Sequence, residues 1–199
     1  GVPMGGKGTD VARKAADLVL LDDSFVSIVG GIRLGRRIFA NLRRALTYVT
    51  AIHVPIAGLA LGPILVGLPP LLFPMHVVLL ELVIDPTCSL VFEAEPSEPE
   101  AMKRPPRRAD EALFGLAQVS MALLQGLCVL TGVFALYWWA LAKNPGAEEA
   151  ARAAAFVALV VSNLALALSE TASSGRLFAA HRRTYWIIAA AVLVVLTIV

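Results

Sequence analysis

Long stretches of this chain contain no Asp, Glu, Lys or Arg, among them 113–142, 153–169 and 184–199. A helix needs about 20 apolar residues to cross a hydrocarbon core roughly 30 Å thick, and runs of this kind supply them. The whole chain is 58% hydrophobic and 16% charged, too little polar surface for a soluble domain of 199 residues. The expected fold class is therefore mainly α: a polytopic membrane helix bundle, with a short α/β remnant of a soluble domain at its N-terminus. The first residues lack the basic segment and apolar core of a signal peptide, and the last lie inside an apolar run. The chain is thus expected to be a piece of a longer polypeptide.

Residues 1–23 differ in character from the rest of the chain. The segment 1–8 is glycine-rich, and Thr9 or Asp10 can cap a short helix running to Ala16. Leu18, Val19, Leu20 and Leu21 form an apolar run between Asp17 and Asp22, which suits a short buried strand. Asp22, Asp23 and Ser24 make a helix start. Phe25, Ile28, Val29, Ile32, Ile38 and Leu42 then recur at helical spacing, with Arg33, Arg36, Arg37, Arg43 and Arg44 on other faces. A stalk is expected over 24–44, continuing into a first span at 45–62 as one helix of about 57 Å. Further spans are expected at 71–92, 113–141, 153–169 and 185–199, so that 45–199 forms the transmembrane domain.

Loop charge gives the orientation. The stalk arginines precede the first span; Lys103, Arg104, Arg107 and Arg108 follow the second, and Arg176, Arg182 and Arg183 follow the fourth. The segment 62–70 has no charge, and 143–152 sets two bases against Glu148 and Glu149. Basic loops stay cytoplasmic, which puts the N-terminal residues inside the cell. The expected location is the plasma membrane. Membrane lipid, a transported cation and the rest of the polypeptide are the expected partners, and no nucleic acid is.

Charge at the centre of a span costs about 2.5–3.5 kcal/mol per group on insertion scales. The second span carries two such groups, Glu81 and Asp85, four residues apart and so on one helical face. Like charges this close repel unless a cation or proton lies between them. Pro86 has no N–H, which frees the Leu82 carbonyl; Pro55 in the first span likewise frees that of Ala51. Carboxylates beside a loosened helix offer the hard oxygen ligands that ions such as Ca²⁺ take. The bland reading is one protonated carboxyl, or a partner base on another helix. His53 could coordinate, relay a proton or pair with Glu81, though a lone membrane histidine is more often a satisfied polar spot. Asn163 in the fourth span could ligate a cation, or simply bond a neighbouring helix. Glu93 and Glu95 are expected to be solvated at the cytoplasmic end of the second span, or to attract cations there. Cys88 and Cys128 lie in apolar segments with neither the spacing of a zinc site nor the setting of a disulfide framework, and read as membrane-buried thiols. Gly1, Gly6 and Lys7 imitate a phosphate loop, but Gly8 stands where Ser or Thr should hold Mg²⁺, which excludes a nucleotide site of that type.

Several motifs resemble one family. The run from Gly1 to Ala12 (GVPMGGKGTDVA), then Ala15-Ala16-Asp17-Leu18-Val19-Leu20 and Asp22-Asp23-Ser24-Phe25, is similar to the end of the phosphorylation domain of P-type ATPases, in the branch of the calcium and sodium pumps. Gly35 to Asn41 (GRRIFAN) resembles the stalk of those pumps, and Met102 to Arg107 (MKRPPR) the cytoplasmic loop after their sixth span. The resemblance implies that the five spans are the fifth to ninth of ten. It also implies that the parent protein uses Mg-ATP to phosphorylate an aspartate lying outside this chain. Asp85 falls on the family's sixth-span aspartate, a cation ligand. Glu81 and His53 fall where calcium pumps carry asparagine. Ile56 and Val160 stand where some of those pumps have glutamate, so a single divalent ion, calcium first, is the expected cargo, with manganese, magnesium or a monovalent ion open. A secondary transporter or channel would use the same carboxylates without ATP, and a structural subunit would explain the spans but not the acidic pair.

Overall fold

The computed structural model describes residues 1–96, 100–106, 112–171 and 183–198; of Asp85, Cys88 and Ser89, and of 197 and 198, it describes only the backbone. The chain divides into two compact units, 1–40 with 96–107, and 41–95 with 108–199.

In the first unit a five-residue helix α1 (Asp10–Lys14) is capped by Thr9, whose Oγ1 accepts the Ala12 N–H at 3.3 Å. The strand expected at 18–21 does not form. One isolated parallel bridge joins Met4 to Leu20, held by Gly5 N–H to Leu20 O at 2.7 Å and Leu20 N–H to Pro3 O at 3.0 Å. Leu20 is buried, but Leu18 and Leu21 are 53% and 89% exposed. An apolar run becomes a strand only where neighbours pair with it, and here one residue finds a partner. Asp22 accepts the Ser27 hydroxyl and the Ser24 N–H, and these bonds hold its carboxyl below the ordinary carboxylate range. They fix the turn into α2 (Val26–Leu65), whose residues up to Ala40 belong to this unit. Arg36 Nη1 donates to the carbonyls of Ala101 and, at 2.8 Å, Arg104.

The second unit holds the rest of α2, then α3 (Pro74–Pro86), a π-helical segment (Thr87–Phe92), α4 (Leu116–Lys143), α5 (Glu148–Thr171) and α6 (Arg183–Ile198). α2 is one unbroken helix of 40 residues, about 60 Å long, with Pro55 and Pro63 inside it. α2, α4 and α5 are each long and apolar enough to cross a membrane, and α3 and α6 are shorter apolar helices. The molecule is a polytopic helical bundle. Its core gathers Tyr48, Ile52 and Leu59 of α2, Leu80 and Ile84 of α3, Tyr137 of α4, Leu159 and Leu164 of α5 and Tyr185 of α6. Polar side chains tie the helix ends. Tyr137 OH donates to Pro69 O at 3.0 Å, Arg152 Nε to Pro70 O at 3.1 Å, and Tyr185 OH to Leu164 O at 2.8 Å.

Close backbone approach explains one glycine. A Cβ on Gly126 of α4 would overlap the Ala51 carbonyl oxygen of α2 and lie 2.7 Å from Val54 Cβ. Only a residue without a side chain lets the two helices meet there.

Candidate functional site

Glu81 and Asp85 both belong to α3, one turn apart. Glu81 is half-buried; the Asp85 side chain lies outside the described residues. The helix changes character just beyond them. Pro86 offers no N–H to Leu82 O, the fully buried Thr87 turns its hydroxyl onto Val83 O at 2.8 Å, and its N–H points to Ile84 O and Val83 O. From Thr87 to Phe92 the chain then winds as a π-helix. Such segments leave backbone carbonyls poorly matched to donors, and they recur at functional sites. The proline is visible in the sequence, but the extent of the widened helix is not, since no residue preference marks it.

The other candidates are dispersed. His53 lies on an exposed face of α2. Its Nδ1 is 2.7 Å from Val49 O, and since a carbonyl only accepts, Nδ1 carries the proton and Nε2 is the ring's basic nitrogen. Ala51 is fully buried, with its carbonyl against Gly126. Pro55 is buried on the same helix. Asn163 of α5 is fully buried, and neither its Oδ1 nor its Nδ2 has a partner among the described residues. Among the described residues no three His, Cys, Asp or Glu side chains gather closely enough to hold a metal ion.

One expectation needs correction. Glu95 is not solvated: it is 3% exposed, and its carbonyl accepts Asn41 Nδ2 of α2 at 2.9 Å, so the chain leaving the π-helix folds onto α2 instead of into water. Glu93 is exposed. Cys128 is a free thiol on the outer face of α4, a helix apolar enough to cross a membrane, while the Cys88 side chain lies outside the described residues. Sequence reading also passed over polar groups that the fold puts to use. His76, in the first turn of α3, accepts the Phe73 N–H at Nδ1 (3.0 Å) and packs 4.7 Å from the Phe156 ring. Gln125 of α4 donates to Glu170 of α5 at 3.0 Å. Neither sits in a repeating pattern, and a helix-to-helix pair cannot be read from spacing along one helix.

A bundle in which three helices are long and apolar enough to cross a membrane defines an integral membrane protein. Residues 69–199 match the family described as "Cation transporting ATPase, C-terminus", and the chain belongs to that family. It is 34% identical over 168 residues to a calcium-transporting ATPase of Bacillus subtilis, covering 82% of this chain and 18% of that protein. It is 38% identical over 152 residues to the sodium/potassium-transporting ATPase subunit alpha-3 of Gallus gallus, covering 72% and 14%. A calcium-transporting ATPase type 2C member 2 of Rattus norvegicus is 27% identical over 169 residues, covering 85% and 18%. The chain thus spans less than a fifth of the length of these relatives.

Proposed function

We propose that this chain is the membrane transport half of an ATP-driven P-type cation pump. One observation carries the reading: a family match over 69–199 encloses two acidic positions one turn apart on α3, directly before the Pro86 break and its π-helix. In this scheme Glu81 and Asp85 ligate the ion and the Leu82 carbonyl, deprived of its usual donor, adds a third oxygen. A divalent ion balances two carboxylates and takes hard oxygen ligands, which favours a calcium-like cargo. Asn163 is a further candidate, supported by its burial and its two unmatched amide atoms. His53, with Nδ1 2.7 Å from Val49 O, remains a candidate for ligating the ion through Nε2, and the Ala51 carbonyl is the weakest candidate because it faces Gly126.

ATP hydrolysis is assigned to other parts of the same polypeptide, where Mg-ATP would bind and an aspartate take up the phosphoryl group. The unbroken α2 is the proposed link from that cycle to the ion path, with residues 1–23 as the tail of the phosphorylation domain and 24–44 as the stalk. The basic loops support a cytoplasmic N-terminus, and the plasma membrane is the proposed location.

The test is metal-stimulated phosphoenzyme formation by the intact polypeptide. A calcium-like divalent ion should drive acid-stable phosphorylation, and Asp85→Asn should abolish ion-dependent ATP turnover without loss of expression. Normal turnover with unchanged ion dependence in Asp85→Asn would remove Asp85 from the ion path. Ion movement without any phosphoenzyme would favour a secondary transporter or channel.

A further inference from the structure

The helix that carries the acidic pair, α3, is capped at its first turn by a titratable side chain. His76 is the third residue of that helix, half-buried, and its Nδ1 accepts the Phe73 N–H at 3.0 Å. A backbone N–H only donates, so the ring is neutral here, with the lone pair on Nδ1 and the proton on Nε2. At this position a capping box carries Glu or Gln, whose side-chain oxygen reaches back to the N-cap N–H. Histidine makes the same bond, but loses it on taking up a proton close to neutral pH. The His76 and Val77 N–H groups complete the turn by donating to Phe73 O at 2.9 and 3.3 Å.

The bond belongs to a stack of rings that joins α3 to α5. Phe73 stacks on His76 at 5.8 Å, the Phe156 ring of α5 lies 4.7 Å from His76, and the Arg152 guanidinium sits 4.6 Å from the centre of the Phe73 ring. Arg152 also donates to Pro70 O, and Tyr137 of α4 to Pro69 O, which tethers the segment leading into α3. Among the described residues the charge that acts on the His76 ring is that of Arg152. Glu148 and Glu149 stand about one turn farther out on α5, and Glu148 acts on Tyr137. From α6 the residues that share a groove with His76 are Ile188, Ala191, Val192, Val195 and Leu196, and the segment 66–73 carries no charge. On α3 itself Glu81 lies five residues farther on, about 7.5 Å along the axis.

A proton on Nδ1 turns the acceptor into a second donor, so that two N–H groups face each other where one bond stood. It also puts a positive charge near Arg152 and at the positive end of the α3 dipole. The charged ring therefore leaves its place, and the first turn of α3 loses its cap and its stack on Phe73. We propose that His76 is a proton-binding switch at the outer end of α3: the neutral ring caps the helix and holds it to α5, and a proton taken up at Nδ1 from the outer solution frees the first turn and opens the way for the cation to leave. Uptake adds one proton to a lone pair and breaks no covalent bond. The cation's part in this rests on the pump reading, and the outer side on loop charge.

Amide hydrogen exchange of the intact polypeptide in nanodiscs tests the switch without reference to transport. Protection over 73–77, corrected for the intrinsic rate at each pH, should fall roughly threefold from about pH 7.5 to about 5.5, which bracket the ~6.5 of free histidine. His76→Gln keeps a carbonyl acceptor in the capping-box place and should stay protected at both values. Protection that does not fall with pH, or that falls equally in His76→Gln, would overturn the switch. A second measurement addresses the cation. In proteoliposomes supplied with external ATP, only pumps whose outer side faces the lumen are phosphorylated. Decay of the phosphoenzyme formed with calcium should be roughly threefold faster with the lumen at about pH 5.5 than at about 7.5, and indifferent to lumen pH in His76→Gln. Decay independent of lumen pH, or equally dependent in His76→Gln, would overturn the link to cation release. A polypeptide that forms no phosphoenzyme would remove the pump reading, and the exchange measurement then decides the switch alone.

Discussion

Asn163 has both amide atoms unmatched among the described residues, in a fully buried position. Leaving a buried donor or acceptor unmade costs about 1–3 kcal/mol. A side chain kept only for packing would do better as an apolar residue of similar size. Asn163→Leu should therefore raise the unfolding midpoint of the purified intact protein, by about 1–3 kcal/mol of stability, while weakening the cation dependence of its ATP turnover. Higher stability with unchanged cation dependence would leave Asn163 without a part in transport. At this scale the sequence is informative about what a residue is, and silent about what surrounds it. A polar residue in an apolar run was visible for Asn163, Glu81 and Asp85 alike. That Asn163 is sealed in the core and Glu81 only half-buried depends on which face each helix turns inward, a tertiary property. His76 went unnoticed because a histidine in the first turn of a helix carries no pattern; its importance arises from Phe73, Phe156 and Arg152, brought to it by folding.

Helices contribute by where they start and how closely they approach. At the start of α2 the Asp22 carboxyl is held below its ordinary range, first by the Ser27 hydroxyl and then by the Ser24 N–H. A carboxylate with a depressed folded value stabilises above its unfolded value, about 3.9, and loses that contribution as pH falls through the folded one. The first turn of α2 should therefore fray only on acidification below about pH 4, seen as faster amide exchange at Ser27 and Ile28, and Asp22→Asn should fray it already at neutral pH. Mid-helix, Gly126 is the contact that sets the approach of α4 to α2. Gly126→Ala should destabilise by about 1–3 kcal/mol, the usual cost of overpacking, whereas Gly132→Ala, with open space around it, should be neutral or slightly stabilising. Equal unfolding midpoints for the two variants would show that the helices can part at no cost. Helices and their approximate extents are legible because apolar runs and charge gaps are properties of one segment. The strand at 18–21 failed for the complementary reason, since a strand exists only with a partner and Leu20 alone has one. The π-helix after Pro86 is intermediate, a break announced by proline whose six-residue extent depends on packing around Thr87 and Phe92.

For the whole molecule the question is which side of the membrane each loop occupies, because a pump must load ions on one side and release them on the other. Basic residues resist translocation, so the segment with Lys103 and Arg104 is predicted to face the cytoplasm and the turn 144–147 the outside. One helix, α4, separates the two, and its 28 residues span about 42 Å, ample for one crossing. Tyr137 and Arg152, bonded to the adjacent carbonyls of Pro69 and Pro70, and the exposed Trp138 and Trp139 next along α4 fit an outer headgroup layer at the 144–147 end. The prediction is made in a background with Cys88 and Cys128 replaced by alanine. Pro145→Cys should react with a membrane-impermeant maleimide on intact cells, and Lys103→Cys only after permeabilisation. The reverse result would invert the orientation, placing ion release where loading is proposed. Reaction of both sites on intact cells would mean that α4 does not cross. The transport reading would then fail at its first requirement, that the acidic turn of α3 lies within a bundle that separates two solutions.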